Sequence, residues 1–129
     1  MSYIYKGTVC SDLEIIKTFI DDKIKILDGI IQNRDILFDI RIILNELIVN
    51  GALHGNERQT SKCVTLNIEV KDNKLKIEVK DEGKGIDFDL KSYNPMELKC
   101  CGRGLVIVNG LSDEFYVDKN KVIAIKYFN

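Results

Sequence analysis

Residues 63–70 (Cys-Val-Thr-Leu-Asn-Ile-Glu-Val) and 74–80 (Lys-Leu-Lys-Ile-Glu-Val-Lys) alternate apolar and polar side chains with a period of two. Val64, Leu66, Ile68 and Val70 therefore share one face, as do Leu75, Ile77 and Val79, while polar and charged residues occupy the other. Lys71-Asp72-Asn73 between them makes a natural hairpin turn. A hairpin with one apolar and one charged face calls for an antiparallel sheet covered by helices on one side only. The rest of the chain must supply those helices and the remaining strands.

Residues 3–9 alternate aromatic or branched residues with polar ones, enough for a first strand. Ser11-x-x-Glu14 then forms a capping box, with Ser11 as N-cap and Glu14 reaching back to its amide. Leu13, Ile16, Ile20, Ile24, Leu27 and Ile31 recur at steps of three and four, which predicts a helix of about five turns with one buried face. Asn33-Arg34-Asp35 reads as the start of a second helix, striped by Ile36, Ile40, Ile43, Leu44 and Leu47. Gly55 is its C-terminal stop, and residues 56–62 form a polar loop. Asp81-Glu82-Gly83-Lys84-Gly85 closes the second hairpin strand. From residue 87 to residue 101 the periodicity fails, and a structureless stretch of that length in a small domain is usually functional. Gly102-Arg103-Gly104 opens an apolar helix over residues 105–111. Residues 114–117 and 122–127 read as two closing strands. With 129 residues and no repeat or linker, a single domain over residues 1–129 is expected.

Nineteen basic and twenty acidic side chains leave a net charge of −1, so there is no general electrostatic case for nucleic acid or an anionic membrane as partner. No apolar run approaches the ~20 residues needed to span a bilayer. The N-terminus lacks a signal-peptide pattern, and a cytoplasmic location is expected. Cys10, Cys63, Cys100 and Cys101 contain no C-x₂-C pair, and adjacent Cys100-Cys101 would make a strained ring if oxidised. With one histidine in the chain, a Cys/His zinc site is not expected; free thiols are the default.

Chemistry concentrates in three places. Glu46, Asn50 and His54 stand at i, i+4 and i+8, one above another on a helix whose neighbouring positions are apolar. A carboxylate and a carboxamide so placed are costly to bury without partners. They are either a solvated polar edge or a site in which Glu46 handles a proton and Asn50 offers oxygen to a hard cation such as Mg²⁺. A strand ending in Asp81-x-Gly83-x-Gly85 fixes an acceptor at a sheet edge, while its glycines let backbone approach a flat ligand. An ionised carboxylate accepting from an exocyclic amine, such as adenine's, is a strong directional contact. Gly102-Arg103-Gly104 at a helix start offers free N–H groups suited to phosphate, with residues 87–101 as a lid.

In these residues the chain resembles the GHKL (histidine-kinase-like) ATPases with the Bergerat nucleotide-binding fold, and within them the bacterial anti-sigma factors that are also serine-protein kinases. The resemblance is carried by residues 46–55 (Glu-Leu-Ile-Val-Asn-Gly-Ala-Leu-His-Gly, the N box), by 81–86 (Asp-Glu-Gly-Lys-Gly-Ile, the G1 box) and by Gly102-Arg103-Gly104-Leu105, the G2 box. Asp113-Glu114 also fits. It implies an α/β two-layer sandwich: a mixed, mostly antiparallel five-stranded sheet with helices on one face. It also implies ATP and Mg²⁺, with Glu46 as general base, Asn50 as metal ligand and Asp81 on the adenine amine. Gly83 and Gly85, with Ile86 beside them, would shape the adenine pocket, while Gly102 and Gly104, with Leu105 following, would meet the phosphates. Arg103 is either a counter-charge for the lid or a surface residue; His54 either packs near the phosphates or caps the helix end. One departure stands out: many relatives carry Gly-Thr before the last strand, where this chain has Lys119-Asn120-Lys121-Val122.

The expected function is an ATP-dependent anti-sigma factor with serine/threonine-protein kinase activity, phosphorylating an anti-sigma-factor antagonist. The alternative is a nucleotide-gated module that sequesters a partner without phosphotransfer. Retention of Glu46 and Asn50 favours the first, and the missing Gly-Thr favours the second. A sigma factor and the antagonist are the expected protein partners. A homodimer is expected through a patch that includes Tyr3, Tyr5, Ile15 and Phe19.

Overall fold

The computed structural model describes residues 2–56, 59, 61–83 and 100–128, with the backbone alone for 54–55 and 100–103. Its five strands are β1 (Tyr3–Cys10), β2 (Cys63–Lys71), β3 (Lys74–Lys80), β4 (Glu114–Asp118) and β5 (Lys121–Tyr127). They form one sheet in the order β1-β2-β3-β5-β4. Helices α1 (Leu13–Asp28), α2 (Arg34–Asn50) and α3 (Cys100–Leu111) complete the fold. The two-layer α/β sandwich expected from the sequence is present. The sheet is not mixed, however: every strand pairing among the described residues is antiparallel. The reason is topological. β3 and β4, linked through α3, point the same way, but β5 inserts between them and separates the one pair that would have been parallel.

The period-two pattern fixes which side faces the helices. Val64, Leu66, Ile68 and Val70 of β2 are buried, as are Leu75, Ile77 and Val79 of β3 and Val122 and Ala124 of β5. The register sets Ile68 against Ile77 and Ile77 against Ala124, so these rows run straight across the sheet. α2 supplies the other half of the core, with Ile40, Leu44 and Ile48 at 0% exposure. Each fully buried side chain of this kind contributes roughly 1.5–3 kcal/mol relative to leaving it in water. The opposite sheet face is polar. There Asn67 Nδ2 donates to Glu78 Oε2 at 2.6 Å, and Lys121 Nζ lies 3.8 Å from Glu78 Oε1.

Local chemistry sets the element ends. Asn33 caps α2 as expected, its Oδ1 accepting from the amides of Asp35 and Ile36. α1 is capped by Asp12, not Ser11: Asp12 Oδ1 accepts from Glu14 N at 3.0 Å and Ile15 N at 3.3 Å. Ser11 is buried instead, donating to the Lys62 carbonyl at 2.9 Å. α1 is also shorter than expected, closing at Asp28 with Gly29 as its C-cap. The hairpin turn has two residues rather than three. Asp72 and Asn73 both take positive φ, 52° and 61°, which suits a type I′ turn between paired Lys71 and Lys74.

Candidate functional site

α2 runs without a break to Asn50 and then continues as one π-helical turn, Gly51–Gly55. Such turns are frequent at functional sites, where the extra residue re-aims the side chains around it. Glu46 and Asn50, one α-helical turn apart, face α3 at Gly104. A Cβ built on Gly104 would lie 2.5 Å from Glu46 Oε2 and 2.7 Å from Asn50 Nδ2. Only glycine permits this approach without displacing the two side chains. Asn50 Nδ2 is buried with no hydrogen-bond partner among the described residues. Leaving such a donor unsatisfied costs about 1–3 kcal/mol, which oxygen atoms of a bound ligand would offset. On its other side Glu46 lines a groove of about 400 Å³ between α1 and α2, shared with Lys17, Ile20, Asp21, Arg41, Ile42 and Asn45. Arg41 Nη1 and Asp21 Oδ1 pair across it at 2.7 Å.

Asp81 follows β3 and is buried at 7% exposure. Burial raises its pKa above the usual carboxylate range, although the Gly83 amide and the charge of Lys62 pull the other way. Gly83 N–H donates to Asp81 Oδ1 at 2.7 Å, which closes the turn that the Asp-x-Gly pattern predicts. Two asparagines brace this turn. Asn120 carbonyl accepts from the Asp81 amide at 3.1 Å, and Asn120 Nδ2 donates to the Asp81 carbonyl at 2.6 Å. Asn56 is fully buried; its Oδ1 accepts from the Glu82 amide at 2.7 Å. Its Nδ2 donates to Ser11 Oγ and to the Cys63 carbonyl, both at 3.0 Å.

Sequence reasoning missed both asparagines. Asn56 falls in a stretch read only as polar loop, with no local signal of burial. Asn120 was visible as a departure from Gly-Thr, and the structure gives that departure a role: it holds the Asp81 peptide from both ends.

Glu46 and Asn50 thus meet Gly104, and Asp81 meets Gly83. Leu105 is a core residue at 1% exposure. α3 begins at Cys100, so Gly102, Arg103 and Gly104 lie inside its first turns rather than ahead of it. The expected order of glycines first and helix second is therefore corrected, because the helical run extends N-terminally through Cys100 and Cys101. His54 lies in the π turn; its side chain, like that of Arg103, is outside the described set. Gly85, Ile86 and residues 87–99 of the lid expected over 87–101 also lie outside the described residues.

No group of three or more His, Cys, Asp or Glu side chains able to hold a metal occurs among the described residues. No described helix is long and apolar enough to cross a membrane.

The chain is similar to three proteins named anti-sigma F factor. That of Clostridium botulinum is 26% identical, over 67% of this chain and 64% of the relative. That of Clostridium perfringens is 30% identical, over 66% of each. That of a Thermoanaerobacter species is 32% identical, over 62% of this chain and 59% of the relative. The chain thus matches less than two thirds of these relatives' length. The family pattern of the histidine kinase-like ATPase domain matches residues 24–126, which include α2, the Asp81 turn, α3, β4 and all but the last residue of β5. By that match the chain belongs to the histidine kinase-like ATPase family.

Proposed function

We propose that this chain is an ATP-dependent anti-sigma factor and serine/threonine-protein kinase that phosphorylates an anti-sigma-factor antagonist. The observation that carries the reading is the placement of Glu46 and Asn50 against Gly104, with Asn50 Nδ2 buried and without a hydrogen-bond partner among the described residues. Asp81 accepts from the adenine amine, and its brace by Asn120 and Asn56 keeps it aimed before ligand arrives. Asn50 Oδ1 is the protein ligand for Mg²⁺, an ion that commonly takes one or two protein oxygens and completes its shell with phosphate and water. When bound there, Mg²⁺ would supply positive charge to offset that of the nucleotide phosphates. Glu46 takes the proton of the incoming serine hydroxyl as its oxygen attacks the γ-phosphorus and ADP leaves with the bonding electrons. The α1–α2 groove, open at Glu46, gives that hydroxyl a route to the base. A sigma factor is the second protein partner, the working form is a homodimer, and the location is the cytoplasm.

The test measures Mg-ATP affinity and label transfer from γ-labelled ATP to an antagonist protein. Glu46→Ala should keep nucleotide affinity and lose transfer by about 10²–10⁴. Asn50→Ala should lose both. Transfer by Glu46→Ala at the wild-type rate would end this mechanism. The second reading, partner capture gated by nucleotide without transfer, is favoured by Asn120. It holds Asp81 with an amide where Gly-Thr would offer a hydroxyl toward phosphate. On that reading the wild type transfers no label, and only Asn50→Ala loses Mg-ATP-dependent binding of the partner.

A further inference from the structure

Cys10 ends β1, Cys63 begins β2, and the strand register pairs them directly across the sheet. Both are free; Cys10 is exposed and Cys63 partly so. Their neighbours Val9 and Val64 are buried under the helices, so by alternation the two thiols share the outer face. The antiparallel ladder then decides how close they stand. Ser11 N–H donates to the Lys62 carbonyl at 3.2 Å, the bond that in an antiparallel ladder flanks a non-hydrogen-bonded pair, while the Lys62 amide turns away to the Gln59 carbonyl. Cys10–Cys63, the next pair along, is therefore of the non-hydrogen-bonded kind, with Cα atoms about 4.5 Å apart. The peptide groups agree. The Cys10 carbonyl accepts from the Asp12 amide at 2.8 Å, the Cys63 amide donates to the Glu82 carboxylate, and the Cys63 carbonyl accepts from Asn56. A separation of about 4.5 Å lies at the short end of the roughly 4.4–6.8 Å that a disulfide bridges.

We propose that Cys10 and Cys63 are a redox pair whose oxidation to a cross-strand disulfide loosens the Asp81 turn. With a small-molecule disulfide as oxidant, the Cys10 thiolate attacks one sulfur and releases the first small thiol. The Cys63 thiolate then attacks the Cys10 sulfur and releases the second. Two protein thiols lose two electrons and two protons, and the oxidant becomes two thiols.

Facing Cβ atoms stand about 4.5–5.5 Å apart, nearest the short end in a non-hydrogen-bonded pair such as this one, whereas a disulfide centres on about 3.8 Å. Closure therefore draws Cys63 toward β1 by somewhat less than about 1 Å, off the position from which it bonds Glu82 and Asn56. Those are the residues whose mutual bond braces the turn after Asp81. Strain of this sort also makes the bond easy to reduce, as a reversible switch requires.

The nucleotide consequence rests on the ATP site proposed above, so the test reads the two parts separately. The full chain is treated with glutathione disulfide and digested with trypsin without reduction. Cleavage after Lys6, Lys17, Lys62 and Lys71 leaves Cys10 in peptide 7–17 and Cys63 in peptide 63–71, each with one cysteine. A joined 7–17/63–71 species is expected, released by dithiothreitol and absent from Cys63→Ser. Glutathione adducts alone, or links to peptides carrying Cys100 or Cys101, would overturn the pair. Exchange of the Glu82 amide hydrogen should speed up on oxidation, and Mg-ATP affinity should fall by about fivefold or more. Neither should change in oxidant-treated Cys63→Ser. A joined species with unchanged Glu82 exchange would overturn the coupling. Absence of Mg-ATP binding by the reduced chain would instead refute the nucleotide site and leave the peptide and exchange results to stand.

Discussion

Asn56 uses both ends of its carboxamide. The oxygen takes the Glu82 amide, and the nitrogen serves Ser11 Oγ and the Cys63 carbonyl. Asn56 itself is fully buried, so Asn56→Ala leaves these groups facing an apolar methyl, at about 1–3 kcal/mol for a buried group left unpaired. Urea unfolding should show a loss of that size; a midpoint equal to wild type would show that the brace is dispensable. Asp81 illustrates the opposite relation between stability and function. Its carboxyl is raised by burial, so the folded chain holds that proton more tightly than the unfolded chain does. The contribution of this group is therefore greatest at low pH. It declines as pH climbs above the ordinary carboxylate value of about 3.9 and through the folded pKa. Asp81→Asn should flatten that part of the stability curve and raise the melting temperature at neutral pH. It should also weaken Mg-ATP binding about ten- to a hundredfold, the loss of one charge-assisted hydrogen bond. A variant that is stabilised but binds Mg-ATP as wild type does would remove Asp81 from the adenine site.

Between elements, the decisive contact is α2 against α3 at Gly104. Gly104→Ala adds a methyl group where Glu46 Oε2 and Asn50 Nδ2 now lie. Both are ends of side chains that can swing aside, and alanine is favoured over glycine within a helix by about 1 kcal/mol. Thermal unfolding should be unchanged or slightly improved, while label transfer collapses because the base and the metal ligand have been pushed off station. Severe destabilisation would mean that the two side chains cannot move. The elements themselves were largely legible in the sequence, since a strand or helix that buries one face must write its period into the chain. Hence the β2–β3 hairpin, the α2 stripe and the Glu46/Asn50 pair could all be read directly. What could not be read depends on residues distant in sequence. Ser11 looks like a cap until Asn56 and Lys62 claim its hydroxyl, and Asp12 then caps α1 in its place. Cys10 and Cys63 look unrelated until the register sets them side by side. The start of α3 was misjudged because two glycines resemble a boundary locally, and the run before them decides otherwise.

Across the whole molecule, the patch expected to mediate self-association is partly used up. Tyr3, Tyr5 and Phe19 pack against the core, and Lys23 Nζ sits 3.6 Å over the Tyr5 ring. Among the described residues Ile4 is the large apolar side chain left most open, at 76% exposure on edge strand β1. The proposed homodimer is expected in sedimentation at micromolar concentration, and Ile4→Lys, a charge that blunts an edge strand, should shift it toward monomer without lowering the melting temperature. Monomer alone in the wild type would count against it. The insertion of β5 between β3 and β4 bears on how the chain is made as well as on its shape. A ribosome reaches residues 121–127 only after everything from β1 to β4 has been synthesised. Until then β3 presents the open edge that β5 will cover, a row of unpaired peptide groups beside Leu75, Ile77 and Val79. Translation pausing between β3 and β5 would leave the nascent chain with a templating strand and no partner for it, so the pace of synthesis over that interval sets how long the chain must be shielded from its neighbours.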